Sequence, residues 1–167
     1  MLSNIRKRKA EGGEGGFTLI EVMIVLAIAG LILLVVFLAV PALQRNARNT
    51  QRREDAGNIL SAVSEYVANN NGAIPGGKSG TGTTLTVGAS GSNTVPVNLG
   101  YYDPTSATGV VLRAYAAADN ATNASTEDTV IVLTGATCSG NNAASGSSRS
   151  VIILYTLENS VKQCRQS

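Results

Sequence analysis

The chain has 167 residues, a length that suits one domain plus a membrane helix. It contains no His and no Trp, and the missing imidazole excludes Ser-His and Cys-His nucleophile pairs and the familiar His-containing zinc sites. The formal charge is +2, but four of the 13 basic and two of the 11 acidic residues lie in the first 16, so the remainder carries nine of each sign and offers no general basic field for nucleic acid.

Residues 1–16 hold Arg6-Lys7-Arg8-Lys9 and then Gly12, Gly13, Gly15 and Gly16, interrupted by Glu11 and Glu14; nothing here favours stable structure. Phe17-Thr18-Leu19-Ile20-Glu21 follows, and from Val22 to Leu43 there are 22 residues without a charge. At about 1.5 Å per residue that run crosses a hydrocarbon core of about 30 Å, so a membrane segment is expected. Glu21 is the odd residue, because a carboxylate in an apolar helix is disfavoured by roughly 2.5–3.5 kcal/mol at the bilayer centre and by less near the edge. By itself it reads equally as a cap on the first helical turn, favoured by the helix dipole, or as a group that needs a partner. A secretory signal peptide carries its small-residue cleavage site after the apolar core. Here the glycines precede it, so a cut there removes the basic leader and leaves the helix on the mature chain.

Gly16-Phe17-Thr18-Leu19-Ile20-Glu21, continued by Val22-Met23-Ile24-Val25-Leu26-Ala27-Ile28-Ala29-Gly30, resembles the type IV prepilin leader and methylation motif. The resemblance implies that a prepilin peptidase cuts between Gly16 and Phe17 and that Phe17, the new N-terminus, is N-methylated. It also implies that Glu21 pairs with the Phe17 amine of a neighbouring subunit as helices pack into a filament. The physics agrees, since an unpaired amine and an unpaired carboxylate are both costly among apolar helices and each selects a place beside the other. Orientation rests on the resemblance too, because Arg45, Arg48, Arg52 and Arg53 beyond the apolar run match the number of basic residues before it.

The apolar half of the expected helix, residues 17–43, is interrupted at Gly30 and Pro41, where a weak helix former and a missing N–H allow bending or unwinding. The amphipathic half, residues 44–71, carries Ala56, Ile59, Leu60, Val63 and Val67 at spacings of three and four, a stripe that should lie on a folded head. Glu54, Asp55, Asn58 and Glu65 occupy other positions, and the row Arg45, Arg48 and Arg52 reads as a solvated face or as a contact for acidic groups or phospholipid headgroups. Asn69-Asn70-Asn71-Gly72 ends the helix, with Gly72 as left-handed cap. Continuous from Phe17 to Asn70, such a helix would measure roughly 80 Å.

Residues 72–108 are rich in Gly, Ser, Thr, Asn and Pro and read as a surface connection with short strand candidates at Thr84 to Val87 and Thr94 to Leu99. Clearer strands follow at Gly109 to Tyr115, Thr129 to Leu133 and Val151 to Leu157, with a Ser/Gly/Asn loop from Thr137 to Arg149 between the last two. The expected fold is therefore α+β: a long N-terminal helix, first membrane-spanning and then amphipathic, packed against a small antiparallel sheet that occupies residues 109–167. The resemblance also implies a C-terminal loop closed by Cys138 and Cys164, and export past the membrane permits that disulfide.

Several signals compete with this reading. Gly72-Ala73-Ile74-Pro75-Gly76-Gly77-Lys78-Ser79 fits the P-loop pattern, but it follows a helix, runs into Gly80-Thr81-Gly82-Thr83, and loses one cradle amide to Pro75. Asn120 and Asn123 begin N-glycosylation acceptor patterns in a loop where chance matches are common. Tyr101-Tyr102-Asp103-Pro104 reads as a packed turn or an adhesive spot, and Arg149, Lys162 and Arg165 lack the aromatic company of a single-strand DNA tip. The sequence thus points to a non-enzymatic pilus-like filament subunit without cofactor or metal. Its expected partners are the prepilin peptidase, further copies of itself, the pilus assembly machinery, the inner membrane before assembly, and a host or neighbouring cell surface, with no specific nucleic acid. A pseudopilin of a secretion or DNA-uptake system and an uncleaved single-pass binding protein are the competing readings.

Overall fold

The structure, a computed structural model, describes residues 16–88, 93–117 and 125–167, so the basic leader and the acceptor sites Asn120 and Asn123 lie outside the described residues. It divides into two compact units, Met1–Ala42 and Leu43–Ser167. Helix α1, Leu19–Asn69, contributes residues to both.

In the first unit α1 is apolar all round, with a mean hydropathy of 3.3 over its most apolar window, no part of that window buried, and Leu26, Leu34 and Phe37 all exposed. Length and composition suit it to a membrane. The helix continues through Pro41, and a Cβ placed on Gly30 would meet nothing.

In the second unit the expected stripe is buried at Ala56, Ile59, Leu60 and Val63, with Val67 packed at its margin and Ala62 and Tyr66 added to it. The helix ends as the sequence predicts: Asn71 and Gly72 take positive φ, and the Gly72 N–H donates to the Val67 carbonyl at 2.8 Å. No basic residue stands in the last turn of α1. Arg149 supplies the charge instead, its guanidinium carbon lying 3.4 Å from where a Gly72 Cβ would be, close to the negative end of the helix dipole.

Strands β1 (Lys78–Thr81), β2 (Thr84–Val87) and β3 (Val95–Asn98) form an antiparallel sheet in that order. The region expected as surface connection therefore carries a sheet of its own. Its inward residues Leu85, Val87 and Val95 join the helix stripe in the main core. Gly80 is needed in β1 because a Cβ there would stand 2.2 Å from the Pro104 carbonyl oxygen.

The second sheet runs β4 (Val110–Ala114), β5 (Val130–Thr134), β8 (Val151–Leu157), β9 (Val161–Gln166). It corrects two expectations. The sheet is mixed, since β4 and β5 pair in parallel while β5, β8 and β9 are antiparallel. The tail around Cys164 is a strand, and the expected loop from Thr137 to Arg149 holds a hairpin, β6 (Ala136–Ser139) with β7 (Asn142–Ser145).

That hairpin explains why β5 and β8 are buried at every position. Alternate strand residues point to opposite faces. Val130, Val132, Val151, Ile153, Tyr155 and Leu157 meet the helix side, whereas Ile131, Leu133, Ile152 and Leu154 meet a second core closed by Ala136 and Ala143 of the hairpin. A sheet covered on both faces reads as continuous apolar runs, here Val-Ile-Val-Leu and Val-Ile-Ile-Leu-Tyr. The disulfide between Cys138 in β6 and Cys164 in β9, Cα–Cα 5.9 Å, fastens the hairpin to the sheet edge, and the Gln166 side-chain oxygen accepts from Thr137 Oγ1 at 2.8 Å beside it. Replacing both cysteines with serine should lower unfolding stability by roughly 3–4 kcal/mol in the chain-entropy account. Urea titration of the non-reduced wild type against the double variant measures it.

Candidate assembly site

The sequence candidates at the N-terminus come together at the start of α1. Gly16, Phe17 and Thr18 precede the helix in non-helical backbone, Phe17 is 88% exposed, and a Cβ at Gly16 would meet no atom. The bond between Gly16 and Phe17 therefore lies in an open, irregular segment that a protease cleft can take in extended form.

Glu21 closes a capping box. Its Oε2 accepts from the Thr18 backbone N–H at 2.8 Å and from Thr18 Oγ1 at 2.7 Å, and the Glu21 N–H donates back to Thr18 Oγ1 at 3.3 Å. Two otherwise orphaned helix-start groups are satisfied reciprocally. Oε1 takes no part in that box. One carboxylate can thus cap its own helix and still present an oxygen to a second donor, so the two readings of Glu21 are compatible. Thr18, which the sequence reading did not single out, is the residue that aims it; the signal was the Thr-x-x-Glu spacing before an apolar run.

The arginine row separates into two roles. Arg52 is buried, 1% exposed, with its guanidinium 4.3 Å from the Tyr101 ring centroid, hydrogen-bonded to Tyr101 Oη, and 3.5 Å from a Glu127 oxygen. A solvated face does not describe it. Three residues along, Asp55 is also buried and accepts from the backbone N–H groups of Gly100, Tyr101 and Tyr102 at 2.9, 2.7 and 3.1 Å. Spacing of three places both on one helix face, where they hold the turn after β3 against α1. Tyr101 and Tyr102 make an edge-to-face pair within that turn, and burial pushes the Tyr102 hydroxyl well above the usual tyrosine range. The packed-turn reading of these tyrosines is the one realised.

Arg45 and Arg48 meet Glu158 at the turn between β8 and β9, Arg48 Nε in a hydrogen bond and Arg45 Nε at 3.7 Å. The Arg48 guanidinium holds the Glu158 carboxyl below the ordinary range. A carboxyl so depressed stabilises the fold above its ordinary value of about 4.3 and loses that contribution as pH falls through the lowered value. Urea midpoints of wild type and Glu158→Gln should therefore differ near neutrality and converge only in acid, once pH falls below the lowered value of the Glu158 carboxyl.

Lys78 of the P-loop-like stretch donates to the Pro104 and Ser106 carbonyls, both at 3.0 Å, and opens a strand. Its ammonium is engaged by backbone. Among the described residues no cluster of His, Cys, Asp or Glu is arranged to hold a metal.

An exposed apolar N-terminal helix, a capped carboxylate in its first turn and a helix-backed sheet head define a pilin-like α+β protein. Comparison with known families agrees: residues 13–37 match the prokaryotic N-terminal methylation motif, the type IV prepilin leader signature. No curated protein and no solved structure matches the chain.

Proposed function

We propose that the protein is the structural subunit of a type IV pilus-like extracellular filament, cut after Gly16, N-methylated at Phe17 and polymerised through its N-terminal helix. The observation that carries this reading is the prepilin motif at residues 13–37 joined to a helix whose apolar half is wholly uncovered. Such a helix has two suitable solvents, lipid before assembly and like helices after it. Both are similarly apolar, so transfer between them is near neutral per residue and polar pairing supplies selectivity. Glu21 and the Phe17 amine of a neighbour are that pair, and Gly30 and Pro41 let the helix loosen as it enters the bundle. The protein works without catalysis or cofactor, with the prepilin peptidase and the pilus assembly machinery as partners, the inner membrane and then the filament as locations, and adhesion or motility as the role.

The N-terminal mass of protein recovered from membranes and from sheared filaments tests it. A chain beginning at a methylated Phe17 in the filament fraction is expected. An intact Met1 leader, with all protein confined to the membrane, would overturn the proposal in favour of an uncleaved anchored binding protein.

A further inference from the structure

The charged residues of α1 are distributed unevenly. After Glu21 and before Glu54 the sole charges are Arg45, Arg48, Arg52 and Arg53, all positive, and they begin two residues beyond Leu43, the last apolar residue of the run. The fold removes one of the four: Arg52 is buried against Tyr101. Arg45 and Arg48 keep 59% and 44% of their side chains exposed, and Arg53 is exposed as well.

We propose that Arg45 and Arg48 bind the phosphate groups of anionic phospholipids, and that Glu158 is the internal competitor that occupies them when lipid is absent. The inference rests on the membrane-anchored reading of the precursor. Arg45 lies about 3 Å and Arg48 about 7.5 Å along the helix from Leu43, which matches a headgroup layer of roughly 5–7 Å on each side of the hydrocarbon. Guanidinium groups suit phosphate oxygens because their fork donates two parallel hydrogen bonds. Arg53 adds attraction from farther along.

Glu158 is placed to exchange. Its two carboxylate oxygens are divided between the arginines, Oε1 to Arg48 and Oε2 to Arg45, as two phosphate oxygens would be. The arginine ends of these pairs stand largely in water, which keeps the pairs weak, while Glu158 keeps 11% of its side chain exposed and must turn outward into solvent as a phosphate takes its place. The turn does not depend on them for its position, because the Glu158 N–H also donates to Asn49 Oδ1 at 2.8 Å. Exchange therefore leaves the β8 to β9 turn docked. The consequence is a subunit whose two arginines face phosphate in the membrane and are half-neutralised from within by the single Glu158 carboxylate once it leaves, lowering repulsion between copies.

The test uses the purified full-length chain in detergent micelles, titrated with phosphatidylglycerol or phosphatidylcholine, with bound lipid counted by native mass spectrometry. Wild type should prefer phosphatidylglycerol, and Arg45→Gln with Arg48→Gln should cut that preference roughly tenfold or more. Glu158→Gln should raise it severalfold, a gain that misfolding would not produce. Equal retention of both lipids, a preference untouched by the double variant, or a weaker preference in Glu158→Gln would each overturn the proposal. Displacement of the lipid by equimolar inorganic phosphate would show a site for free phosphate and overturn the lipid assignment. Carbonate extraction of the same variants from membranes separates the two readings. Protein that resists extraction but shows no lipid preference sinks this inference alone, whereas protein released by carbonate sinks the membrane-anchored reading.

Discussion

Asp55→Ala is expected to unfold the head or leave it loosely packed, at a cost of roughly 3–5 kcal/mol. The Asp55 carboxylate is 3% exposed and is the shared acceptor for the N–H groups of Gly100, Tyr101 and Tyr102. Alanine leaves these three donors without that acceptor. Asp55→Asn keeps the shape and one acceptor oxygen, enough for the Tyr101 and Tyr102 N–H groups, but turns its N–H₂ toward the Gly100 N–H, so it should be destabilised by less than alanine and still measurably. Total stabilities of small domains run at about 5–15 kcal/mol, so the alanine change is a large fraction of what is available. Near-UV circular dichroism of the five tyrosines and urea midpoints of the detergent-solubilised chain measure the effect. A midpoint for Asp55→Ala equal to that of wild type would show that the turn after β3 is held without the Asp55 acceptor.

Glu21→Gln should abolish or nearly abolish filaments while leaving the protein in the membrane and processed. In the proposed filament the amine of Phe17 enters an apolar bundle, and removing its counter-charge leaves a buried ion unpaired, a cost of about 3–5 kcal/mol for every subunit added. Since about 1.4 kcal/mol is a factor of ten in an equilibrium, assembly falls by a hundredfold or more per step. Thr18→Val separates pairing from capping. It removes the hydroxyl that bonds Glu21 Oε2 but keeps the carboxylate and the Thr18 backbone donor position, so filaments should persist at reduced yield. Sheared-filament yield, normalised to membrane-bound protein with its N-terminal mass verified, gives the comparison. Normal filament yield from Glu21→Gln would remove Glu21 from the mechanism and leave it as a helix cap.

Features that depend only on neighbours along the chain are legible in the residues. A 22-residue uncharged run, a Gly-Phe junction with Glu five residues into the mature segment, a stripe at helical spacing and a Gly at the helix end are all local patterns, read with the 3.6-residue period and the backbone freedom of glycine. The strands at Thr84–Val87 and Val151–Leu157 were legible for the same reason, being short β-branched runs between turn residues. β6, β7 and β9 were not, because Ala-Thr-Cys-Ser, Asn-Ala-Ala-Ser and Val-Lys-Gln-Cys-Arg-Gln have little intrinsic strand preference and become strands through pairing and the disulfide. Tertiary structure alone decided that β4 runs parallel to β5, since either direction buries the same apolar face. It also decided the fates of polar residues that look interchangeable in sequence. Arg48 and Arg52 are one helical turn apart, yet one stays at the surface beside Glu158 and the other is buried under Tyr101, because partners 49 to 110 residues away determine which charge can be desolvated.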